Sequence, residues 1–340
     1  MCGIAGIIKT TESSRLALDT ALLQMQAALQ HRGPDSRGAF ITRSHRVGLV
    51  HTRLAILDLS PAGHQPMTTP DGRFTITFNG EIYNFRQLRQ QLEENGAVLR
   101  SLSDTEVILK LYERFGPGCV NQLRGMFAFA IWDDLEKTCF IARDRLGIKP
   151  LYYHIGDYGF TFASEVRSLL ASGLVPRMVD PLALWHYLGY QSVPTPRSLI
   201  KDVRLLSPGS WLKVDARGKV TEFRYWDLWQ AASQESHVTD YSEAQRCVAD
   251  LLRETVPLHL ISDVPVAVFL AGGIDSSAIV GLMREAGQTP RTFSVIFGEE
   301  NYNEAPHARM VAKRFNTEHQ EIPLSEQHLL DQLPEAIAAM

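Results

Sequence analysis

From Asp263 to Gly287 the chain reads DVPVAVFLAGGIDSSAIVGLMREAG: an apolar strand, a glycine turn, then a helix. A second apolar strand, RTFSVIFG, and a second helix, HARMVAKRF, follow it. This alternation leaves few architectures open. Parallel neighbours cannot be joined by a tight turn, so each helix must cross the sheet and return the chain for the next strand. The end of the chain is therefore expected to form an α/β domain with a parallel sheet.

The first ~170 residues are written differently. GIAGII reads as a short buried strand bounded by Gly3 and Lys9. Arg15 to Leu29 carries apolar residues at helical spacing and stops before the turn-rich HRGPDSRG. VGLVHTRLAILDL and FTITFNGEIYN are strand-like, and helices are expected near Asn84–Glu94 and Asp104–Phe115. GMFAFAIWDD, TCFIARD, PLYYHI and GFTFASE then form a run of strands with tight connections, which predicts an α+β sandwich of layers. From Pro176 to Ser242 the character changes again. PTPRSLIKDVRLLSPGSW is rich in proline and basic residues, and AASQESHVTDYSEA is polar and reads as a linker with YWDLW packed beneath it. The expected division is thus residues 1–175, a connecting segment 176–242, and a second domain 243–340. A chain of 340 residues fits two domains, since single cores stop growing at roughly 250–300 residues.

Composition removes several function classes. A net charge of −4 offers no footprint for nucleic acid or an anionic membrane. No stretch approaches the ~20 apolar residues of a membrane span. MCGIAGIIKT has no basic region before its apolar run, unlike a signal peptide. Four cysteines, Cys2, Cys119, Cys139 and Cys247, lie at wide, irregular gaps with no CxxC pair. They read as reduced thiols, so a cytoplasmic location is expected.

Two stretches carry chemistry. In AGGIDSS the glycines let the backbone turn and present its N–H groups, and the following helix adds its positive dipole end. Ser276 and Ser277 add hydroxyl donors, and Asp275 is placed to orient a phosphate-bound metal. The loop is neither GxxxxGK[ST] nor GxGxxG, and a plain turn with a serine cap remains open. Cys2 is the other. Removal of Met1, favoured by a small second residue, would put a thiol and a free α-amine on one residue. An α-amine ordinarily titrates at about 7.7–8.0, so it can serve as base for a thiol of about 8.5. A buried structural cysteine is the alternative. Likewise Arg53 admits a surface ion pair, Asp104 a helix N-cap, and Asn79–Gly80 a hairpin turn. His31 and His51 read as structural.

Taken in order, MCGIAG, HRGPD, HTRL, FNGEIYN, SLSDTEV, RDRLGIKPLYY and FASE resemble the class II glutamine amidotransferase domain, an N-terminal-nucleophile hydrolase with αββα layers. FLAGGIDSS is similar to the pyrophosphate loop of the N-type ATP pyrophosphatases, with Ala271 where that family usually has serine. Together they resemble the glutamine-hydrolysing asparagine synthetases over essentially the whole chain. The resemblance implies these roles: Cys2 attacks the side-chain amide of glutamine, and Asn79 and the Gly80 N–H form the oxyanion hole. Arg53 would take the substrate α-carboxylate through its planar fork, and Asp104, helped by Glu81, would hold the α-ammonium. HRGPDSRG and RDRLGIKP would be loops around this site, held by ion pairs of Arg32 and Asp144.

For the second domain the resemblance implies ATP, aspartate and Mg²⁺, with the metal arriving on the phosphates. Leu270, Gly272, Gly273, Asp275, Ser276, Ser277 and Val295 would bind ATP and pyrophosphate. The loss of one hydroxyl at Ala271 is expected to weaken pyrophosphate binding rather than abolish it. The family's synthetase domain continues past this length with a glycine- and acid-rich loop and a lysine, so a truncated second domain is expected. A homodimer stays open, as does another acceptor for the ammonia or a glutaminase without synthesis.

Overall fold

The computed structural model describes residues 1–10, 15–234, 238, 240–298 and 303–339. It divides into two compact units, Met1–Glu235 and Ser236–Met340. In the first, β1 (Gly3–Lys9), β2 (Ser36–Ile41), β3 (Val47–Arg53), β8 (Tyr152–Gly156), β9 (Gly159–Ala163) and β10 (Val203–Leu205) form one sheet. Its order is β10-β8-β9-β1-β3-β2. The second sheet is built from β4 (Met67–Thr68), β5 (Phe74–Ile82), β6 (Gly125–Asp133), β7 (Thr138–Arg143), β11 (Ser210–Asp215) and β12 (Val220–Arg224), in the order β12-β11-β7-β6-β5-β4. All their pairings are antiparallel.

The period of two explains why β1 is a solid apolar run. Ile4 and Ile8 point into the space between the sheets, among Ala128, Ala130, Ile141, Leu212 and Val214. Ala5 and Ile7 point the other way, onto Leu18, Leu22 and Met25 of the helix Arg15–Ala28 and Leu169 of the helix Val166–Ala171. With both faces covered, a polar side chain between Ile4 and Ile8 would be costly. On the far side, the helix Asp104–Phe115 lies on the second sheet through Tyr112, edge-on to Phe74 at 5.6 Å and stacked on Phe140 at 5.0 Å. The layers are therefore helix, sheet, sheet, helix.

Two stretches differ from the sequence reading. Of VGLVHTRLAILDL, only Val47–Arg53 is strand. The rest is loop, because the backbone carbonyls of Leu57 and Asp58 turn to accept from the Arg53 guanidinium. Residues 176–242, read as a connecting segment, supply β10, β11 and β12 to the two sheets. The reason is the alternation in SWLKVD: Leu212 and Val214 drop into the core between the sheets while Lys213 faces water. Trp211 covers Phe140 and Phe223 on the other face. Residues 235–237 and 239 of the polar linker stretch lie outside the described residues.

The second unit contains a three-stranded parallel sheet of β13 (Ala267–Phe269), β14 (Arg291–Phe297) and β15 (Glu318–Leu324), in that order. The helices Ile274–Glu285 and Ala305–Phe315 make its crossovers, and Leu270, Val280, Ala308, Val311 and Ala312 form its core. Among the described residues no helix is long and apolar enough to cross a membrane.

Leu212 tests the reassignment of 176–242. Leu212→Ala is expected to cost about 2–5 kcal/mol in urea unfolding, as for a core leucine, against roughly ±0.5 kcal/mol for the exposed Val98→Ala. A loss for Leu212→Ala as small as that of Val98→Ala would return the segment to a solvated linker.

Candidate active site

The pairing of β1 with β3 sets Gly3 opposite Thr52, and one further step brings Cys2 beside Arg53 and Leu54. There the Leu54 N–H donates to the Cys2 sulfur at 3.4 Å, and the thiol reaches the Leu54 carbonyl at 3.5 Å. The Cys2 carbonyl accepts from Arg32 Nε at 2.9 Å, and Arg32 Nη1 pairs with Glu165 at 2.6 Å. The start of β1 is thus tied down on both sides. Burial pushes the Cys2 thiol up, so at neutral pH it needs a base.

Cys2, Arg53, Asn79, Gly80, Glu81 and Asp104 line one cavity of about 160 Å³, together with Met1 and Lys149. All the residues predicted for this site from MCGIAG, HTRL, FNGEIYN and SLSDTEV are brought together by it. The hairpin alternative for Asn79–Gly80 does not hold: both lie inside β5, paired with Ala128 and Phe127 of β6.

The edge of β5 explains what these two residues offer. β4 covers β5 only at Thr75 and Ile76, so beyond them β5 is a free edge on that side. In an antiparallel ladder alternate residues direct their N–H groups to the same edge. The Phe78 N–H goes to Gln65 Oε1 at 2.7 Å and the Ile82 N–H to Asp104 Oδ2 at 3.0 Å. The Gly80 N–H points out between them, at the cavity. Beside it, Asn79 Nδ2 is buried without a hydrogen-bond partner. Two unspent donors therefore face the cavity that holds the thiol.

The charged groups are equally constrained. Arg53 Nη2 donates to the carbonyls of Leu57 at 3.0 Å and Asp58 at 2.6 Å, which takes up both of its hydrogens. A Cβ at Gly63 would collide with that nitrogen. Nη1 also donates to the Ser60 carbonyl at 3.5 Å, so with Nη2 spent a two-pronged grip of the fork on a ligand is not available. Asp104 is the first residue of its helix, and the cap is Ser103, whose hydroxyl accepts from the Thr105 N–H. This frees Asp104 to face the cavity at the positive end of the helix. Burial raises the carboxyl of Asp104, opposed by the Ile82 N–H and Arg53. Burial also raises Glu81, and the Asp104 charge adds to it. His51 lies beneath, bonded to the Phe78 carbonyl at 3.0 Å and lowered by burial to about 3. It stays neutral and structural.

Among the described residues Asp144 makes no ion pair. Its carboxylate accepts the backbone N–H groups of Phe127, Leu146, Ile148 and Lys149 at 2.9–3.1 Å. Among the charged cavity residues, sequence reasoning left Lys149 without a role, although it stands in RDRLGIKPLYY. The available signal was a lysine set directly before a buried strand, where a cation has no solvent to face.

In the second unit the loop 270–273 leaves β13 at its carboxyl end and enters a helix whose N-cap is Gly273. Ligands of parallel sheets bind at such ends. Gly272 has φ +80°, and a Cβ there would meet His307 Cβ at 2.6 Å. Val295 lies on β14, two residues beyond Phe293, which pairs with Phe269 at the end of β13. The Leu270 N–H is committed to the Phe293 carbonyl at 2.8 Å and its carbonyl accepts from the Ser294 hydroxyl. Among the described residues no group of three or more His, Cys, Asp or Glu side chains gathers as a metal site.

Comparison with known proteins follows this division. Residues 1–226 match the family described as glutamine amidotransferase domain, and residues 247–340 match asparagine synthase. The chain is 36% identical over 338 residues to asparagine synthetase (glutamine-hydrolyzing) 1 of Bacillus subtilis, covering 99% of this chain and 52% of that protein. It is 36% identical over 345 residues to putative asparagine synthetase (glutamine-hydrolyzing) 2 of Methanocaldococcus jannaschii, covering 94% and 64%. The chain thus spans about half to two thirds of the length of these relatives. Among solved structures, the B. subtilis glutamine phosphoribosylpyrophosphate amidotransferase shares the fold, with a TM-score of 0.50 at 17% identity over 94% of this chain and 65% of that one.

Asp144→Ala removes the acceptor of the buried Phe127 and Lys149 N–H groups. It is expected to cost on the order of 3 kcal/mol in urea unfolding, while the exposed Asp157→Ala stays within about 0.5 kcal/mol.

Proposed function

The chain belongs to the glutamine amidotransferase domain family over residues 1–226, and from that premise we propose that it hydrolyses glutamine at Cys2 and that its second unit takes part in ATP-dependent synthesis of asparagine. The observation that carries the glutaminase half is the cavity itself: a thiol, two unspent N–H donors, two cations and two carboxylates face one space.

The chemistry follows from those groups. Met1 lines the cavity. Its removal clears a wall and leaves the α-amine on Cys2. In the unprocessed chain burial lowers the Met1 α-amine, and an α-amine on Cys2 would ordinarily titrate near working pH. The amine takes the thiol proton as sulfur attacks the side-chain carbonyl carbon of glutamine. The oxygen that becomes negative is received by Asn79 Nδ2 and the Gly80 N–H, each such donor being worth about 2.7–4 kcal/mol in the transition state. The C–N bond breaks, the proton passes to the leaving nitrogen, and a γ-glutamyl thioester remains. Water then releases glutamate and restores the thiol. Arg53, through one remaining N–H, receives the α-carboxylate, and Asp104 with Glu81 receives the α-ammonium.

In the second unit the loop 270–273 and the first turn of the helix after it receive the phosphates of ATP. Cleavage of ATP to pyrophosphate activates the aspartate side chain as β-aspartyl-AMP, and ammonia displaces AMP. Mg²⁺ fits this site only as a companion of the phosphates, because Asp275 is its single carboxylate and no protein cage surrounds it among the described residues. When bound, it would neutralise phosphate charge. Four free thiols support a cytoplasmic location.

Cys2→Ala is expected to abolish glutamate release from glutamine, and mass spectrometry should find Met1 absent from active protein. Retained hydrolysis in Cys2→Ala would overturn the nucleophile. Pyrophosphate release that depends on both ATP and aspartate tests the synthetase half. Ala271→Ser should tighten pyrophosphate binding by about 0.5–1.5 kcal/mol, the worth of one hydroxyl hydrogen bond. If aspartate never stimulates pyrophosphate release, this chain does not make asparagine.

A further inference from the structure

Glutamine carries its α-carboxylate and α-ammonium on one carbon, so covalent geometry fixes their separation. A site that recognises both must hold its cation and its anion at a matching distance. Here the two receptors come from different elements: Arg53 ends β3, and Asp104 begins the helix Asp104–Phe115. No strand pairing joins them. Asp58 does. It is 5% exposed and adopts φ +52°, a left-handed conformation that Asp and Asn tolerate better than most residues. Its backbone carbonyl accepts from Arg53 Nη2 at 2.6 Å. Its carboxylate reaches a different segment: Oδ2 accepts from the Leu102 N–H at 2.7 Å, across 44 residues of chain. Oδ1 accepts from the Ser60 N–H at 3.1 Å and the Ser60 hydroxyl at 2.5 Å, which stiffens the loop after β3. Leu102 stands just before Ser103, the cap of the Asp104 helix. Glu106 anchors the same turn by accepting from the Arg100 and Ser101 N–H groups. A second tie between the two segments runs from Gln65 Nε2 to the Thr105 hydroxyl at 3.1 Å.

We propose that Asp58 is a positioning residue for glutamine: its carboxylate latches the loop that orients Arg53 to the turn that starts the Asp104 helix, so that the receptors for the α-carboxylate and the α-ammonium are held at one separation. Asp58 is not among the residues that line the cavity, so it acts through those two. Local satisfaction does not call for this arrangement. Leu102 is 69% exposed, so its turn lies where water can serve a backbone N–H. A buried carboxylate brought from far along the chain adds what water does not, a join between two loops. Burial works against the Asp58 charge, but the Ser60 hydroxyl and the Leu102 and Ser60 N–H groups outweigh it and hold the carboxyl below the usual carboxylate range. The latch is therefore charge-assisted, and roughly twice as strong as a neutral hydrogen bond. With the latch open, the side-chain amide of glutamine would still fit at Cys2, while its zwitterionic end would be held less well.

The inference rests on the glutaminase reading, and the experiment separates the two. Glutamine hydrolysis is measured for the unaltered chain, Asp58→Gly and Asp58→Asn. Alkylation at Cys2 is followed by mass spectrometry with two reagents: iodoacetamide, which is neutral, and a diazoketone analogue of glutamine, which keeps the α-carboxylate and α-ammonium. Glycine fits the left-handed backbone without the carboxylate. Asparagine also fits it, but its one acceptor oxygen cannot serve both Ser60 and Leu102. Asp58→Gly should raise KM for glutamine about tenfold, the worth of one hydrogen bond to a charged group, with kcat changed less than about twofold. Alkylation by the zwitterionic reagent should slow about tenfold as well, while the rate with iodoacetamide stays the same. Asp58→Asn should show about a threefold loss in the same two measurements. An unchanged KM and unchanged zwitterionic labelling in a folded Asp58→Gly would overturn the proposal. So would equal slowing of both reagents, which is what general damage to the cavity produces. Circular dichroism checks folding, and if Asp58→Gly does not fold, unchanged zwitterionic labelling of Asp58→Asn overturns the proposal instead. Hydrolysis and labelling in the unaltered chain with a silent Asp58→Gly sink this inference alone. An unaltered chain that neither hydrolyses glutamine nor takes the zwitterionic reagent at Cys2 sinks the glutaminase reading.

Discussion

The antiparallel register between β1 and β3 is the constraint on which the cavity depends. Gly3 opposite Thr52 leaves Cys2 beside Arg53 and Leu54. A slip of one residue would turn every side chain of β1 to the other face, sending Ile4 and Ile8 out of the core between the sheets. That register is costly to change because both faces of β1 are buried, and the same burial that holds the strand raises the Cys2 thiol. Cys2 is placed by packing several residues away from it.

The second strand of importance, β5, contributes through incompleteness. A fully paired strand has no N–H to lend. β5 loses its neighbour β4 after two residues, and side chains from elsewhere take up the exposed groups at Phe78 and Ile82. The Gly80 N–H between them is left facing the cavity. The acceptors at either side, Gln65 and Asp104, also shape the cavity wall. Backbone satisfaction and the shape of the cavity thus depend on the same side chains.

Much of this was legible in the chain. Strand–turn–helix alternation predicted the parallel sheet, and the tight run of strands predicted the layered first domain. The six residues named for the first cavity do meet in it, and the loop AGGIDSS stands at the carboxyl end of its strand. The misses have physical causes. SWLKVD, in a stretch rich in proline and charge, looked like connection, yet its alternation is a strand's, and only the facing sheet shows where Leu212 and Val214 go. LAILDL looked like more strand, but a guanidinium draws its carbonyls aside. Asp144 looked like half of an ion pair, and its partners proved to be peptide N–H groups, which carry no mark in a sequence.

By itself the sequence determined which residue types were present in which order, and so the local periodicities, the glycine turns and the reactive groups at Cys2, Asn79, Asp104 and AGGIDSS. These depend on spacing along the chain. Tertiary structure decided which of them share a space and in what state. Burial shifts the Cys2, Glu81, Asp104 and His51 groups, and both Arg53 Nη2 hydrogens are spent on carbonyls. Lys149 joins the cavity from a loop far away in sequence. Desolvation and charge pairing fall off with distance in space, and that distance is set only once the two sheets have closed on each other.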